Sequence, residues 1–458
     1  MQHYKKFNFY FLLLLIFAIA PFARAQSGIS LIRDAQTEKF LRELSNPVFE
    51  AANLNSKNIS IYIVNDDSIN AFVSGGQNVF INTGLIRKYE TPDALIGVIA
   101  HETGHIAAGH VARSSEEMKD AETSILLSYL LGIGAIASGA PEAGQAILLG
   151  GSQGAERMFL KYTRGQEEAA DKHALEYLAK IHYPATGLLD LLEFFDREMT
   201  GYQGQLDEYA LTHPVSKKRI DYLKHNFIHR NFSDKEFNKK LQPAMNVVLA
   251  KLEGYMENPD FLLKKYQNQT DYMAKYVKAI AFHRKAESQQ ALKLLDELLV
   301  KNKNDGFLYE LKAQFLFESG QIDESILAYN KAISLLEPRD SASIKISFAL
   351  AILTLSTNDE ALINLAIKRL KEAQVFEDEN PFLYREFANA YRKIGDEARS
   401  ALALAEYNFA IGNKEKTRKY VKLAKEKFAN QKNQTAIKPE LTRLEDLSEL
   451  AKDEKNQQ

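Results

Sequence analysis

Hydrophobic and polar positions along this chain change their period near residue 230, and that change is its first organising feature. In the first half, residues 34–53 carry apolar side chains at helical spacing. Ile59 to Val64 form a short β-branched run that predicts a strand. The stretch from Asn70 to Leu85 places two short apolar runs around Gly75-Gly76, which predicts a bent pair of strands. That pair is either an ordinary hairpin or an edge able to receive a peptide backbone by strand addition. Val98 to His110 has an apolar lead-in with no proline and reads as helix, as do residues 162–178. Beyond about residue 240 the pattern is almost entirely helical.

Two apolar stretches fall outside this scheme. Lys5 and Lys6 precede the run from Phe9 to Ala20, which ends in Pro21-Phe22-Ala23-Arg24-Ala25. A basic start, a short apolar core and an Ala-x-Ala exit predict a secretory signal cleaved after Ala25. Its core is short for a bilayer span, although an uncleaved anchor is the competing reading. Residues 125–150 are apolar but interrupted by Gly132, Gly134 and Pro141. They are too broken to span a membrane as one helix, and read as a buried helical hairpin, a mobile lid, or a segment in peripheral contact with a membrane.

The helical half repeats itself. Tyr309, Ala313, Leu316, Gly320, Ile322, Tyr329, Ala332 and Pro338 fall close to the tetratricopeptide (TPR) pattern. Phe382, Tyr384, Phe387, Ala388, Tyr391 and Gly395 restart it, with weaker units at 279–299 and 349–373 and a closing unit at 412–428. Stacked TPR units bury a core between neighbours and leave a concave groove, which implies a protein or peptide partner. Leu441, Leu444, Leu447 and Leu450 predict a short terminal helix in a charged tail that ends in disorder. The expected organisation is a signal peptide at 1–25, a first domain at 26–235, a TPR-like domain at 236–430 and a tail at 431–458. The fold class is α+β and predominantly helical.

Composition narrows the function. The chain has 458 residues, too many for one ordinary core, and no cysteine. Without cysteine, disulfides and lipid attachment at a lipobox are excluded, so an exported protein of this kind depends on core burial and metal binding for its stability. The formal charge of −2 becomes more negative once Lys5, Lys6 and Arg24 are removed, which argues against nucleic acid as a partner.

The candidate chemistry lies in His101-Glu102-Thr103-Gly104-His105. Residues four apart on a helix share a face, so the two imidazoles can converge on one metal ion, with Glu102 beside them to accept a proton from water. A chance occurrence in a chain of this length is on the order of one in a hundred, so the motif favours function over surface decoration. Two protein ligands leave a zinc site incomplete. Glu167 and Asp171, again four apart, supply a carboxylate ligand and a partner for the outer nitrogen of a metal-bound imidazole. Glu168 is the alternative ligand, without an acid four residues on. Thr212-His213-Pro214 holds a histidine out of helical geometry, where it is a capping or surface residue or approaches the metal. His110 lies five residues beyond His105 and is expected to point away from the metal face.

These segments, in the order HExxH, Arg164 with Glu167 and Ala170-Asp171, then Thr212-His213-Pro214 with Arg219, resemble the family-48 metallopeptidases, which are gluzincins. The resemblance covers about residues 40–225, including the strand region from Asn70 to Leu85. It implies a zincin-like domain with a small sheet, followed by an all-α TPR solenoid. It further implies one zinc per chain held by His101, His105 and Glu167, with Glu102 as general base and Asp171 supporting a ligand. His213 would stabilise the oxyanion or cap the resting metal. A signal, a metallopeptidase and TPR units in series are similar to exported bacterial proteases of that family. That likeness implies a periplasmic endopeptidase that degrades misfolded or stalled outer-membrane proteins and assists their assembly, docking onto the assembly machinery through the TPR groove. A competing reading is a TPR chaperone or scaffold with a latent or structural zinc site.

Overall fold

A computed structural model describes residues 30–110, 164–201, 212–227, 232, 234–355, 359–429 and 437–452. The expected signal peptide, the apolar segment at 125–150 and the end of the charged tail lie outside the described residues. No helix among the described residues is long and apolar enough to cross a membrane.

The chain enters through a short strand, β1 (Leu31–Ile32), and helix α1 (Ala35–Ala51). Asp34 starts α1 because its side chain accepts a hydrogen bond from the Thr37 amide, satisfying one of the donors that the first turn leaves unpaired. Strands β2 (Ser60–Val64), β3 (Ala71–Ser74) and β4 (Asn78–Asn82) follow. The sheet order is β1-β2-β4-β3, with β2 and β4 parallel and β3 antiparallel to β4. The Gly75-Gly76 pair takes positive φ in the loop joining β3 to β4, the turn that the sequence predicts, and β3 ends the sheet. Side chains alternate as the pleat requires. Ala71, Val73, Val79 and Ile81 enter the main core, while Phe72 stacks on Phe80 at 4.8 Å on the opposite face.

After a short helix, α2 (Thr83–Lys88), comes α3 (Pro92–Ala107), which is buried on every side from Pro92 to Ile106. A helix buried all round is a core helix rather than a surface one. It packs against α1, β3, α4 (Arg164–Lys180), α5 (Thr186–Gly201) and α7 (Asp234–Met256), with α6 (Lys217–Phe227) set against α4 and α5. Leu95, Ile96, Ile99, Leu175, Leu178, Leu188 and Phe195 are at most 4% exposed in this core.

Helix α7 gives Met245, Val248 and Leu252 to that core and Ala250 to the next one. From there the chain is helix upon helix: α8 (Pro259–Lys265), then the pairs α9 and α10 (Tyr272–Arg284, Ser288–Lys301), α11 and α12 (Gly306–Glu318, Ile322–Leu335), α13 and α14 (Ala342–Thr354, Glu360–Gln374), and α15 and α16 (Pro381–Lys393, Glu397–Ala410). Helices α17 (Lys414–Ala429) and α18 (Lys438–Leu450) close the array, with Leu444 and Leu447 buried. Asp271, Asp305, Asp359, Asn380 and Asp396 each cap a helix start through their side chains, so local sequence sets many of the boundaries.

The segment that leads into α1, and α1 itself, are clasped to this array. Arg33 donates to Glu377 at 2.8 Å, Arg42 to Asp340 at 3.1 Å, and buried Lys251 of α7 pairs with Asp34, with Glu310 3.7 Å away.

Candidate metal centre

The centre is built from three segments that the fold brings together around α3. His101 and His105 lie one turn apart, with Nε2 atoms 3.2 Å from each other. Glu167 enters from α4: one oxygen is 3.3 Å from His101 Nε2 and the other 3.2 Å from His105 Nε2. His213, on the non-helical loop ahead of α6, brings Nδ1 to 3.1 Å from Glu167 Oε1. One ligand atom from each of these four residues lies within 4.8 Å of the other three, and all four residues are buried.

The meeting of α3 and α4 depends on Gly104. A Cβ built there would lie 2.7 Å from the Ala170 carbonyl oxygen and 2.9 Å from its Cα, both rigid backbone atoms. Any side chain at that position would drive the helices apart. The glycine inside the HExxH motif therefore permits the close approach that delivers Glu167 to the two imidazoles.

Behind the cluster is a charged support. His101 Nδ1 lies 2.9 Å from Asp171 Oδ1. Asp171 accepts two hydrogen bonds from Arg219, at 2.6 and 2.9 Å, and a third guanidinium nitrogen stands 2.7 Å from Glu167. Arg219 also donates to the Pro214 carbonyl, so one side chain ties α4 to the His213 loop. It is 1% exposed.

Electrostatics separates the members of the cluster. Burial raises the Glu102 carboxyl above its ordinary value, only partly opposed by His213 and His101. Burial also acts to raise Glu167, but His213, Arg219 and His101 outweigh it and hold that carboxylate well below the ordinary range. Desolvation would raise Asp171 too, but Arg219 outweighs it and the carboxyl is lowered. Burial would lower His101, yet the carboxylates of Glu167 and Asp171 hold it up at about 9. His105 falls to about 3, chiefly from burial.

The donor set fits a divalent cation. Two imidazoles and a carboxylate are the mixed nitrogen and oxygen ligands that zinc accepts. Both Glu102 oxygens are buried without a hydrogen-bond partner among the described residues, an expensive arrangement for a carboxylate unless water or a cation stands beside it. His213 Nε2 is 3.5 Å from Glu102 Oε1 and 3.3 Å from the Ala71 carbonyl oxygen, which brings the edge strand β3 to the rim of the site.

The sequence candidates fall unequally. His101, His105, Glu167 and His213 come together, Glu102 sits against them, and Asp171 stands behind His101. Glu168, the alternative ligand, is outside the cluster and pairs with Lys218 at 2.6 Å. His110 stays off the metal face and outside the cluster, but it is buried against the back of a ligand candidate, with its Nδ1 3.0 Å from His105 Nδ1. A helical wheel does not give that contact, because α3 ends at Ala107 and Gly109, at φ 66°, turns the chain back. Arg219 was legible only as part of a resemblance; its position between two carboxylates arises from the packing of α6 on α4.

Residues 35–226 match Peptidase family M48. The chain is similar, at 25% identity, to a beta-barrel assembly-enhancing protease of Yersinia pestis, over 85% of this chain and 72% of that protein. It shows the same identity to a beta-barrel assembly-enhancing protease of Escherichia coli strain K12, over 83% and 70% of the two chains. A mitochondrial metalloendopeptidase of Schizosaccharomyces pombe is 29% identical over 35% of this chain and 44% of its own.

Proposed function

Because residues 35–226 are a peptidase family M48 domain and the chain is a metalloprotease, we propose that it is a zinc-dependent endopeptidase of the bacterial periplasm, acting on misfolded or stalled outer-membrane proteins. The observation that carries the enzymatic part is the convergence of His101, His105 and Glu167 beside a buried Glu102 carboxylate that has no hydrogen-bond partner among the described residues. Four protein donors are within reach if His213 is counted, as a structural zinc site would want, but a purely structural site has no use for the Glu102 carboxylate.

In this reading His101, His105 and Glu167 hold zinc, which when bound supplies Lewis acidity toward a scissile carbonyl and lowers the pKa of a water. Glu102 takes the proton of the attacking water and delivers it to the leaving amine, a task suited to a carboxyl that burial has raised. His213 stands where it can donate to a developing oxyanion, close to Glu102 and to the Ala71 carbonyl. Asp171, clamped by Arg219, orients His101. An extended substrate backbone pairs with the edge strand β3.

The destination in the envelope rests on the names of the two bacterial relatives and on the expected signal peptide. The helix pairs beginning at Tyr272, Gly306, Ala342 and Pro381 recur at intervals close to the roughly 34-residue period of TPR units. An open cavity of about 470 Å³, lined by Leu292, Tyr309, Lys312, Leu316 and Leu327, is a foothold for a protein partner there, for which we assign the outer-membrane assembly machinery.

The test compares the parent protein with Glu102→Gln for zinc content and for cleavage of an unfolded protein. The variant is expected to retain zinc and lose turnover; undiminished cleavage would refute the assignment.

A further inference from the structure

Each imidazole of the pair turns Nε2 toward the cluster and Nδ1 away from it, and the two outer nitrogens meet different partners. His101 Nδ1 meets the Asp171 carboxylate. His105 Nδ1 meets another imidazole, that of His110, at 3.0 Å, with the rings inclined at 68°. A contact between two ring nitrogens at this distance requires one donor and one acceptor. The outer nitrogen of a metal-bound imidazole carries its proton, because the inner one offers its lone pair to the cation. His105 must therefore donate. His110 Nδ1 is then the acceptor, and the His110 proton resides on Nε2.

We propose that His110 is a positioning residue of the metal centre: it accepts the Nδ1 proton of His105 and so fixes the tautomer and ring angle that aim His105 Nε2 at the cation. This rests on the reading above that His105 is a metal ligand. The backbone that allows it is the turn after α3. Gly109 takes φ 66°, which a side-chain-bearing residue rarely adopts, and so folds His110 back beside a residue only five positions earlier. The two imidazoles are consequently supported unequally, one by a carboxylate held by Arg219 and the other by a second imidazole.

The experiment measures zinc affinity by competition with a chromophoric chelator for the full chain, His110→Leu, His110→Asn and His110→Gln. Asn places an amide oxygen near the position of the histidine Nδ1, whereas Leu fills the volume without an acceptor and Gln carries its oxygen too far. Loss of an outer-shell partner typically weakens metal binding about 10- to 100-fold, so Leu and Gln are expected to fall in that range and Asn to stay within a few-fold of the parent. Urea midpoints of the chelator-treated proteins report packing separately. Parent-like affinity in His110→Leu would overturn the proposal while leaving the metal site intact. If His110→Leu does not fold, Asn and Gln decide: equal affinities would overturn it. Failure of the parent protein itself to bind zinc would instead remove the metalloenzyme reading, and this inference with it.

Discussion

Replacing Arg219 by methionine keeps a long, largely apolar stem and removes a guanidinium that stands 2.6 to 2.9 Å from Asp171 and 2.7 Å from Glu167. Both carboxylates are fully buried. Breaking a buried ion pair by deleting one partner costs about 3–5 kcal/mol. A second route to the magnitude starts from the escape open to a stranded carboxylate, which is to take a proton. At pH 7, neutralising a group with an ordinary pKa near 3.9 costs about 1.36 kcal/mol per pH unit, or roughly 4 kcal/mol, and at pH 5 about 1.5 kcal/mol. In the parent the lowered pKa values of Asp171 and Glu167 keep their stabilisation intact at both pH 7 and pH 5, and it is lost only as pH falls below the unfolded value through the depressed folded one. Between pH 7 and pH 5 what changes is the stranded carboxyl of the variant, which takes its proton more cheaply in acid. The deficit of Arg219→Met is therefore largest at neutral pH and shrinks on acidification. Urea unfolding of chelator-treated parent and variant at pH 7 and pH 5 measures it. A loss below about 1 kcal/mol at pH 7, or a deficit that grows at pH 5, would show that Arg219 does not offset the buried charge of these carboxylates.

Further outcomes follow from the same contacts. Gly104→Ala must move the α4 backbone at Ala170, carrying Glu167 with it, and is expected to weaken zinc binding by about tenfold or more; parent-like affinity would show that this approach does not place Glu167. Lys251→Met strands Asp34 and Glu310 where α1 meets the helical array, and with Asp34 15% exposed the expected cost is about 2–3 kcal/mol by urea unfolding. Burial would raise the Asp34 carboxyl, but Lys251 outweighs it and lowers it, so that cost too should diminish in acid; an unchanged midpoint would dismiss the clasp as an energetic feature. His213→Ala is expected to retain zinc while kcat falls about 10²- to 10³-fold, as for loss of an oxyanion donor. Higher activity would make His213 a latch, and loss of zinc would make it a ligand.

Much of the architecture is legible in local pattern. Helix α1, strand β2 and the Gly-Gly turn form within a residue or two of where periodicity and turn chemistry put them, since each depends on neighbours in the chain. Aspartates and an asparagine before many of the later helices mark their starts for the same reason. Local rules fail where the chain stops being regular. The contact of His110 with His105 cannot be read by extending a helical wheel past Ala107, where a left-handed glycine has already redirected the backbone.

Helical spacing alone implies that His101 and His105 share a face, that Glu102 lies between them in the chain, and that Glu167 and Asp171 form a second pair at the same spacing. Those are properties of 3.6 residues per turn and need no partner. Which acid faces the imidazoles depends on packing. Glu167 and Glu168 are equivalent in composition, but the close contact at Gly104 orients α4 so that Glu167 is buried and Glu168 reaches Lys218 near the surface. Arg219 could acquire its role only in three dimensions, because two buried carboxylates 48 and more residues away in sequence need a cation once the fold withdraws them from water. Periodicity sets directions along one element, whereas desolvation and charge balance arise between elements and exist only after they have packed.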